Sequence, residues 1–204
     1  MSQNKKISKS RNFFGYLLPE NPLIISIIAI FAALTCVLTL VIRVPVPTTT
    51  GYINIGDIAV MFTGLLFGPI IGGIAGGIGP AIADLIGYPL FTIPTLIIKG
   101  LEGFVVGLIS NPRDKELRVD YRDIIAVVIG GVIMVSGYFL VEAYVFGMGT
   151  GVALTEIPGN LFQFLFGIIG SILLISIMRK NVIINLPHIF NKVFIYESLE
   201  ISSE

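Results

Sequence analysis

The feature that most constrains this chain is a series of long apolar runs separated by turn residues. Six can be drawn: Leu23–Ile42, Ile58–Phe67, Ile70–Ile86, Ile93–Ile109, Ile124–Phe146 and Leu161–Met178. A run of about 20 apolar residues is long enough to cross the hydrocarbon core of a bilayer as a helix. Inside that core each backbone polar group must be satisfied within the protein, which selects helices for such runs. Composition agrees: 54% of the 204 residues are hydrophobic and only 13% are charged, about half the charged share of a soluble domain. Mean hydropathy is +0.92. The expected fold is an all-α integral membrane protein, a six-helix transmembrane bundle with both ends in the cytoplasm. The expected division is a cytoplasmic tail over 1–21, a membrane domain over 22–179 and a second cytoplasmic tail over 180–204.

The second and third runs are short and meet at Phe67-Gly68-Pro69, where Gly and Pro interrupt a helix. Read as one span, Ile58–Ile86 would hold about 29 residues, more than the roughly 20 an untilted crossing needs. A hairpin of two short helices is therefore expected. The third run carries Gly72-Gly73-Ile74-Ala75-Gly76-Gly77, and glycines four apart let helices approach closely. It is no phosphate loop, because no Gly-Lys-Ser/Thr follows. ATP hydrolysis is not expected of this chain.

Lys5, Lys6, Lys9 and Arg11 precede the first run, as in a signal peptide. That run is longer than a signal h-region, about 7–15 residues, and no small-residue cleavage site follows it; a retained helix is expected. Basic residues also gather at Arg113, Lys115, Arg118 and Arg122, and at Arg179, Lys180 and Lys192. The alternate connections hold few: Arg43 stands alone, and 87–92 and 147–156 have none. With an even number of spans, all basic clusters fall on one side, the cytoplasmic side by the positive-inside rule. Formal net charge is zero, so no global basic field suggests nucleic acid. The single Cys36 lies in an apolar run and reads as a packing residue; the single His188 lies in the polar tail and reads as solvated. Neither a metal motif nor a cofactor motif stands out.

Ionisable groups at membrane depth are costly and face cavities or partners. Lys99 and Glu102 lie about 9 and 14 Å along the fourth helix, at 1.5 Å per residue, and are close enough at i,i+3 to pair. Glu156, Asn160 and Gln163 follow i, i+4, i+7 on one face of the sixth helix, and Tyr138 and Glu142 share a face of the fifth. Three helices thus offer polar stripes at one depth in the outer half, as a pocket for a small polar ligand requires. Asp57, at an outer helix N-terminus, reads as a dipole cap, and Asp84 either pairs with a neighbour or sits at the interface. The Pro- and Thr-rich connection Arg43–Ile55 reads as a lid, with Tyr52 and Asn54 reaching the ligand.

Several runs together resemble the substrate-binding S components of energy-coupling factor transporters. They are Tyr52-Ile53-Asn54-Ile55-Gly56-Asp57, Leu66-Phe67-Gly68-Pro69-Ile70-Ile71-Gly72, Ala83-Asp84-Leu85-Ile86-Gly87-Tyr88, Ile98-Lys99-Gly100-Leu101-Glu102-Gly103 and Glu156-Ile157-Pro158-Gly159-Asn160-Leu161-Phe162-Gln163. Their order covers about Pro22 to Met178 and is closest to the riboflavin-type branch, which includes members assigned to the hydroxymethylpyrimidine precursor of thiamine. The resemblance implies a six-helix fold that captures a vitamin or precursor at an outward pocket. It also implies docking to a transmembrane T component driven by two ATPase subunits. An Ala29-xxx-Ala33 pattern in the first helix resembles the family's docking motif. Flavin-binding members often carry an aspartate-rich run after the first loop; Asn54-Ile55-Gly56-Asp57 keeps one acid, which favours a smaller pyrimidine.

The expected ligand contacts are therefore Tyr52, Asn54, Lys99, Glu102, Glu142, Asn160 and Gln163, with Ala29 and Ala33 for docking. The alternative is a stand-alone secondary transporter coupling protons through the buried acids. An intramembrane enzyme has less support: no Ser/His, Cys/His or spaced acidic pair stands out.

Overall fold

The computed structural model describes residues 12–46, 51–114 and 118–194, and six helices carry the apolar runs. They are α1 (Pro22–Val41), α2 (Gly56–Phe67), α3 (Pro69–Gly87), α4 (Thr92–Ser110), α5 (Tyr121–Leu140) and α6 (Ile157–Asn185). Two small antiparallel hairpins accompany them, β1 (Asn12–Phe13) with β2 (Tyr16–Leu17), and β3 (Val44–Val46) with β4 (Gly51–Ile53). Lys5, Lys6, Lys9, Arg11 and Lys115, loop residues 47–50 and the tail from 195 lie outside the described residues. Five helical stretches are long and apolar enough to cross a membrane: Pro22–Val41, Pro69–Gly87, Pro89–Ser110, Tyr121–Val145 and Thr150–Asn185. The apolar α2 has only 12 residues. Large apolar side chains point outward all along the bundle, among them Ile30 and Val37 on α1 and Phe162, Phe166 and Ile169 on α6. Water does not tolerate so extensive an apolar surface; this is an all-α membrane protein.

Local chemistry sets the helix ends. The Asn21 side chain accepts from the Leu23 amide at 3.0 Å and Pro22 occupies the first turn, a strong start for α1. Between α2 and α3, Gly68 has φ +82°, a conformation that L side chains rarely adopt, and the chain folds back there. Asp120 and Asp123 close a capping box on α5. The last turn of α5 widens into a π-helical turn, Val141–Val145, which buries Glu142. A short turn, Thr150–Ala153, leads into α6. The sixth helix runs past Met178, and past the division expected at 179, to Asn185. A further turn, Pro187–Phe190, then brings the chain back: Phe190, Val193 and Phe194 are buried, and Phe194 meets Tyr16 edge-on at 5.4 Å.

Small residues let the helices meet backbone to backbone. A Cβ on Gly103 of α4 would lie 2.3 Å from the carbonyl oxygen of Gly72 on α3. One on Gly77 would lie 2.8 Å from the Leu96 oxygen, and one on Gly64 of α2 would lie 2.7 Å from the Gly103 oxygen. The glycine-rich run of α3 thus packs against a second glycine series on α4, with α2 beside them. At the end of the bundle that carries β1 and β2, Arg179 is not a loop charge. It is 1% exposed and grips Asp123 of α5 through two bonds of 2.8 and 2.9 Å, while donating to the carbonyls of Leu65 and Arg118. Ser110 of α4 donates to the same carboxylate at 2.6 Å.

Two outcomes are expected in thermal unfolding of the detergent-purified protein. Gly103→Ala overpacks the α3–α4 seam at a cost of about 1–3 kcal/mol and lowers the midpoint by several degrees, whereas Gly151→Ala, with nothing near its Cβ, leaves it in place. Asp123→Asn removes the counter-charge from buried Arg179, a loss of about 3–5 kcal/mol, and lowers the midpoint further than Gly103→Ala.

Candidate ligand-binding site

At the opposite end, α1, α3, α4, α5 and α6 and the β4 hairpin enclose a cavity. The cavity is narrow, with a volume of about 20 Å³. The hairpin contributes Gly51 and Tyr52, followed by Asn54; α4 gives Thr95 and Lys99; α5 and its π-turn give Tyr138 and Glu142; α6 gives Asn160 and Gln163, preceded by Glu156. Thr39, Pro80, Asp84 and Phe91 complete the wall. Six of the seven residues expected to touch ligand thus line one cavity. The seventh, Glu102, lies one turn deeper, fully buried, and pairs with Lys99 at 3.1 Å.

Lys99 is the hub of the cavity floor. Its ammonium bonds Asp57 of α2 as well as Glu102, and stands 5.7 Å from the centre of the Tyr138 ring. The expected dipole cap is therefore something else: Asp57 makes no capping bond, is 0% exposed and serves as the counter-ion of Lys99. A charge taken out of water needs such a partner more than a helix end needs a cap. The amide of Gln163 bridges outward from this pair. It donates to Asp57 at 2.9 Å and accepts from the Asn54 backbone amide at 2.8 Å. Asn54 turns its own side chain back to the Gly56 amide at 2.7 Å. Tyr138 and the Thr95 hydroxyl share a 2.9 Å hydrogen bond.

The roof is an aromatic latch. The Tyr52 hydroxyl donates to Asp84, its ring stacks on Tyr88 at 4.4 Å, and Arg43 lies 4.8 Å over its face. Arg43 is held in turn by the Ala83 carbonyl at 2.7 Å. Burial, reinforced by Asp84, pushes the Tyr52 hydroxyl well above the ordinary tyrosine range, so it remains a donor. Asp84 thus pairs with Tyr52 and lines the cavity rather than sitting at the interface. Glu156 belongs to the face with Asn160 and Gln163 and also lines the cavity. Among the described residues, no group of three or more His, Cys, Asp or Glu is arranged to hold a metal ion. The arrangement offers donors, acceptors and aromatic faces to a small polar molecule. Ala29 and Ala33 lie together on the exposed face of α1, away from this cavity.

Comparison with known proteins places the chain among transporter components. The chain is 43% identical over 133 residues to a Pyrococcus woesei protein described as "Uncharacterized protein in gap 3'region", covering 65% of this chain and 86% of that protein. It is 28% identical over 163 residues to the thiamine precursor transporter HmpT of Lactococcus lactis subsp. cremoris (strain MG1363), covering 79% of this chain and 90% of that one. The family model for the S component of ECF-type riboflavin transporters matches residues 21–180, from the cap of α1 into the last turns of α6. The match takes in every helix that builds the cavity, and the chain belongs to the family of ECF-type riboflavin transporter S components.

Proposed function

We propose that the cavity beneath Tyr52 is the capture site of this S component and opens to the outside of the cell membrane. Membership in a transporter S-component family makes the chain a component of vitamin or vitamin-precursor uptake rather than an enzyme. The observation that carries the capture reading is the convergence of Tyr52, Asn54, Lys99, Glu142, Asn160 and Gln163 on one cavity from a hairpin and three helices. The preferred ligand is the hydroxymethylpyrimidine precursor of thiamine, with riboflavin next. The relative named as a thiamine precursor transporter supports this order, and so does the single acid in Asn54-Ile55-Gly56-Asp57. Ligand bound outside would be carried through by a T component and two ATPase subunits, with Ala29 and Ala33 as the docking face. Both termini would then lie in the cytoplasm, on the side of Arg113, Arg118 and Arg122.

The direct test is mass spectrometry of small molecules released from gently purified protein; a stoichiometric pyrimidine or flavin is expected. Asn160→Leu should weaken binding by about tenfold, the loss of one buried hydrogen bond, with little change in thermal midpoint. Gln163→Leu should weaken binding and also lower the midpoint, because Gln163 ties Asp57 to Asn54. Unchanged affinity in both variants removes them from the site. Ala29→Trp with Ala33→Trp should leave ligand affinity intact and abolish ATP-dependent uptake in vesicles containing the T and ATPase subunits. Uptake by this chain alone, collapsed by an uncoupler, would instead establish the proton-coupled reading.

A further inference from the structure

We propose that Glu142 and Glu156 form the specificity-determining subsite of the cavity, receiving an amino group borne on a nitrogen heterocycle. The inference rests on the capture reading and names the ligand chemistry of that site. The two side chains come from the π-turn after α5 and from the residue before α6; both line the cavity, and they are 0% and 5% exposed. Ionised carboxylates only accept hydrogen bonds. Among the described residues, neither oxygen of Glu142 and not Oε1 of Glu156 receives a donor. The two carboxyl groups are within hydrogen-bonding reach of each other; a proton shared between them engages one Glu142 oxygen and leaves the other without a donor.

The neighbouring cations do not fill the gap. Lys99 is committed to Asp57 and Glu102, and Arg43 to the Ala83 carbonyl and the aromatic latch. Buried acceptors without donors are rare and call for an explanation. A primary amino group on an aromatic ring supplies what is missing: two N–H donors on one atom, one for each carboxyl. A protonated ring nitrogen would add the positive charge that the pair favours. An oxo or hydroxyl group at the same place offers one donor at most and turns lone pairs toward the carboxylates. The dione edge of a flavin offers one N–H between two carbonyl acceptors and fits no better. The pair thus selects amino over oxo by repulsion as well as attraction.

The experiment is calorimetric titration of the full-length protein in detergent with 4-amino-5-hydroxymethyl-2-methylpyrimidine, with its 4-hydroxy counterpart, and with riboflavin. The amino compound is expected to bind wild type at least about tenfold more tightly than the hydroxy compound, as one charge-assisted hydrogen bond implies. Glu142→Gln and Glu156→Gln should each weaken the amino compound and narrow that gap. Equal affinity of wild type for the two pyrimidines overturns the subsite and leaves capture intact, and that comparison needs no folded variant. A gap that persists unchanged in both Gln variants overturns it too, as expected if the two glutamates only share a proton. Binding of riboflavin alone overturns the subsite while vitamin capture stands. Failure of all three compounds to bind wild type overturns the subsite and the proposed ligand together.

Discussion

The ammonium of Lys99, buried in the upper half of the bundle, is the interaction on which the rest depends. A charge removed from water is tolerated only when oppositely charged partners lie close to it. Here the partners come from different elements: Asp57 from α2, Glu102 from α4 itself, and Gln163 of α6 bonded to Asp57. Gln163 also holds the Asn54 amide, so the root of the aromatic roof hangs from the same network. One cation thereby fixes α2, α4, α6 and the β4 hairpin relative to one another. The glycine seam serves this arrangement. Only with Gly64, Gly72 and Gly103 bare of side chains do α2, α3 and α4 come near enough for Asp57 to reach Lys99.

The two ends of the bundle use ionic chemistry differently. Around Arg179 a bidentate carboxylate, itself held by a serine hydroxyl, and two backbone carbonyls engage both terminal guanidinium nitrogens, leaving only Nε without an acceptor. That end clasps α5 and α6 and the neighbouring turns. At the cavity end, Glu142 and Glu156 keep unused acceptor capacity although they are buried. A low-dielectric interior makes such capacity costly to leave empty and valuable to fill. One small bundle thus combines a cross-braced end around Arg179 with a cavity end that holds acceptors to spare.

Much of this was readable in the sequence, for identifiable reasons. Helix positions followed from apolar runs, because a bilayer leaves few alternatives to a helix. The i,i+4,i+7 spacing of Glu156, Asn160 and Gln163 and the pairing of Tyr138 with Glu142 required only helical geometry, and those residues do line one cavity. What escaped were contacts between residues distant in the chain. Asp57 looked like a cap because its own helix was the only visible context; its real partner lies 42 positions away. Arg179 looked like one more basic residue at a helix end, since nothing local announces Asp123, 56 positions earlier. The same holds for Tyr16 and Phe194, which the polar character of both tails concealed. The widened turn at Val141–Val145 has no sequence signature at all, yet it aims Glu142.

The shortness of α2 bears on how the protein is made. At 1.5 Å per residue its 12 residues reach about 18 Å, well short of a hydrocarbon core about 30 Å thick. Every one of those residues but Ile58 is buried in the finished bundle. A nascent segment of this length carrying Asp57 has little to gain from lipid, so it enters as the leading limb of a hairpin whose longer limb, α3, supplies the partition energy. Its acid stays without a counter-ion until α4 emerges from the ribosome with Lys99. An interrupted chain ending after α3 would leave the Asp57 carboxylate without its counter-ion.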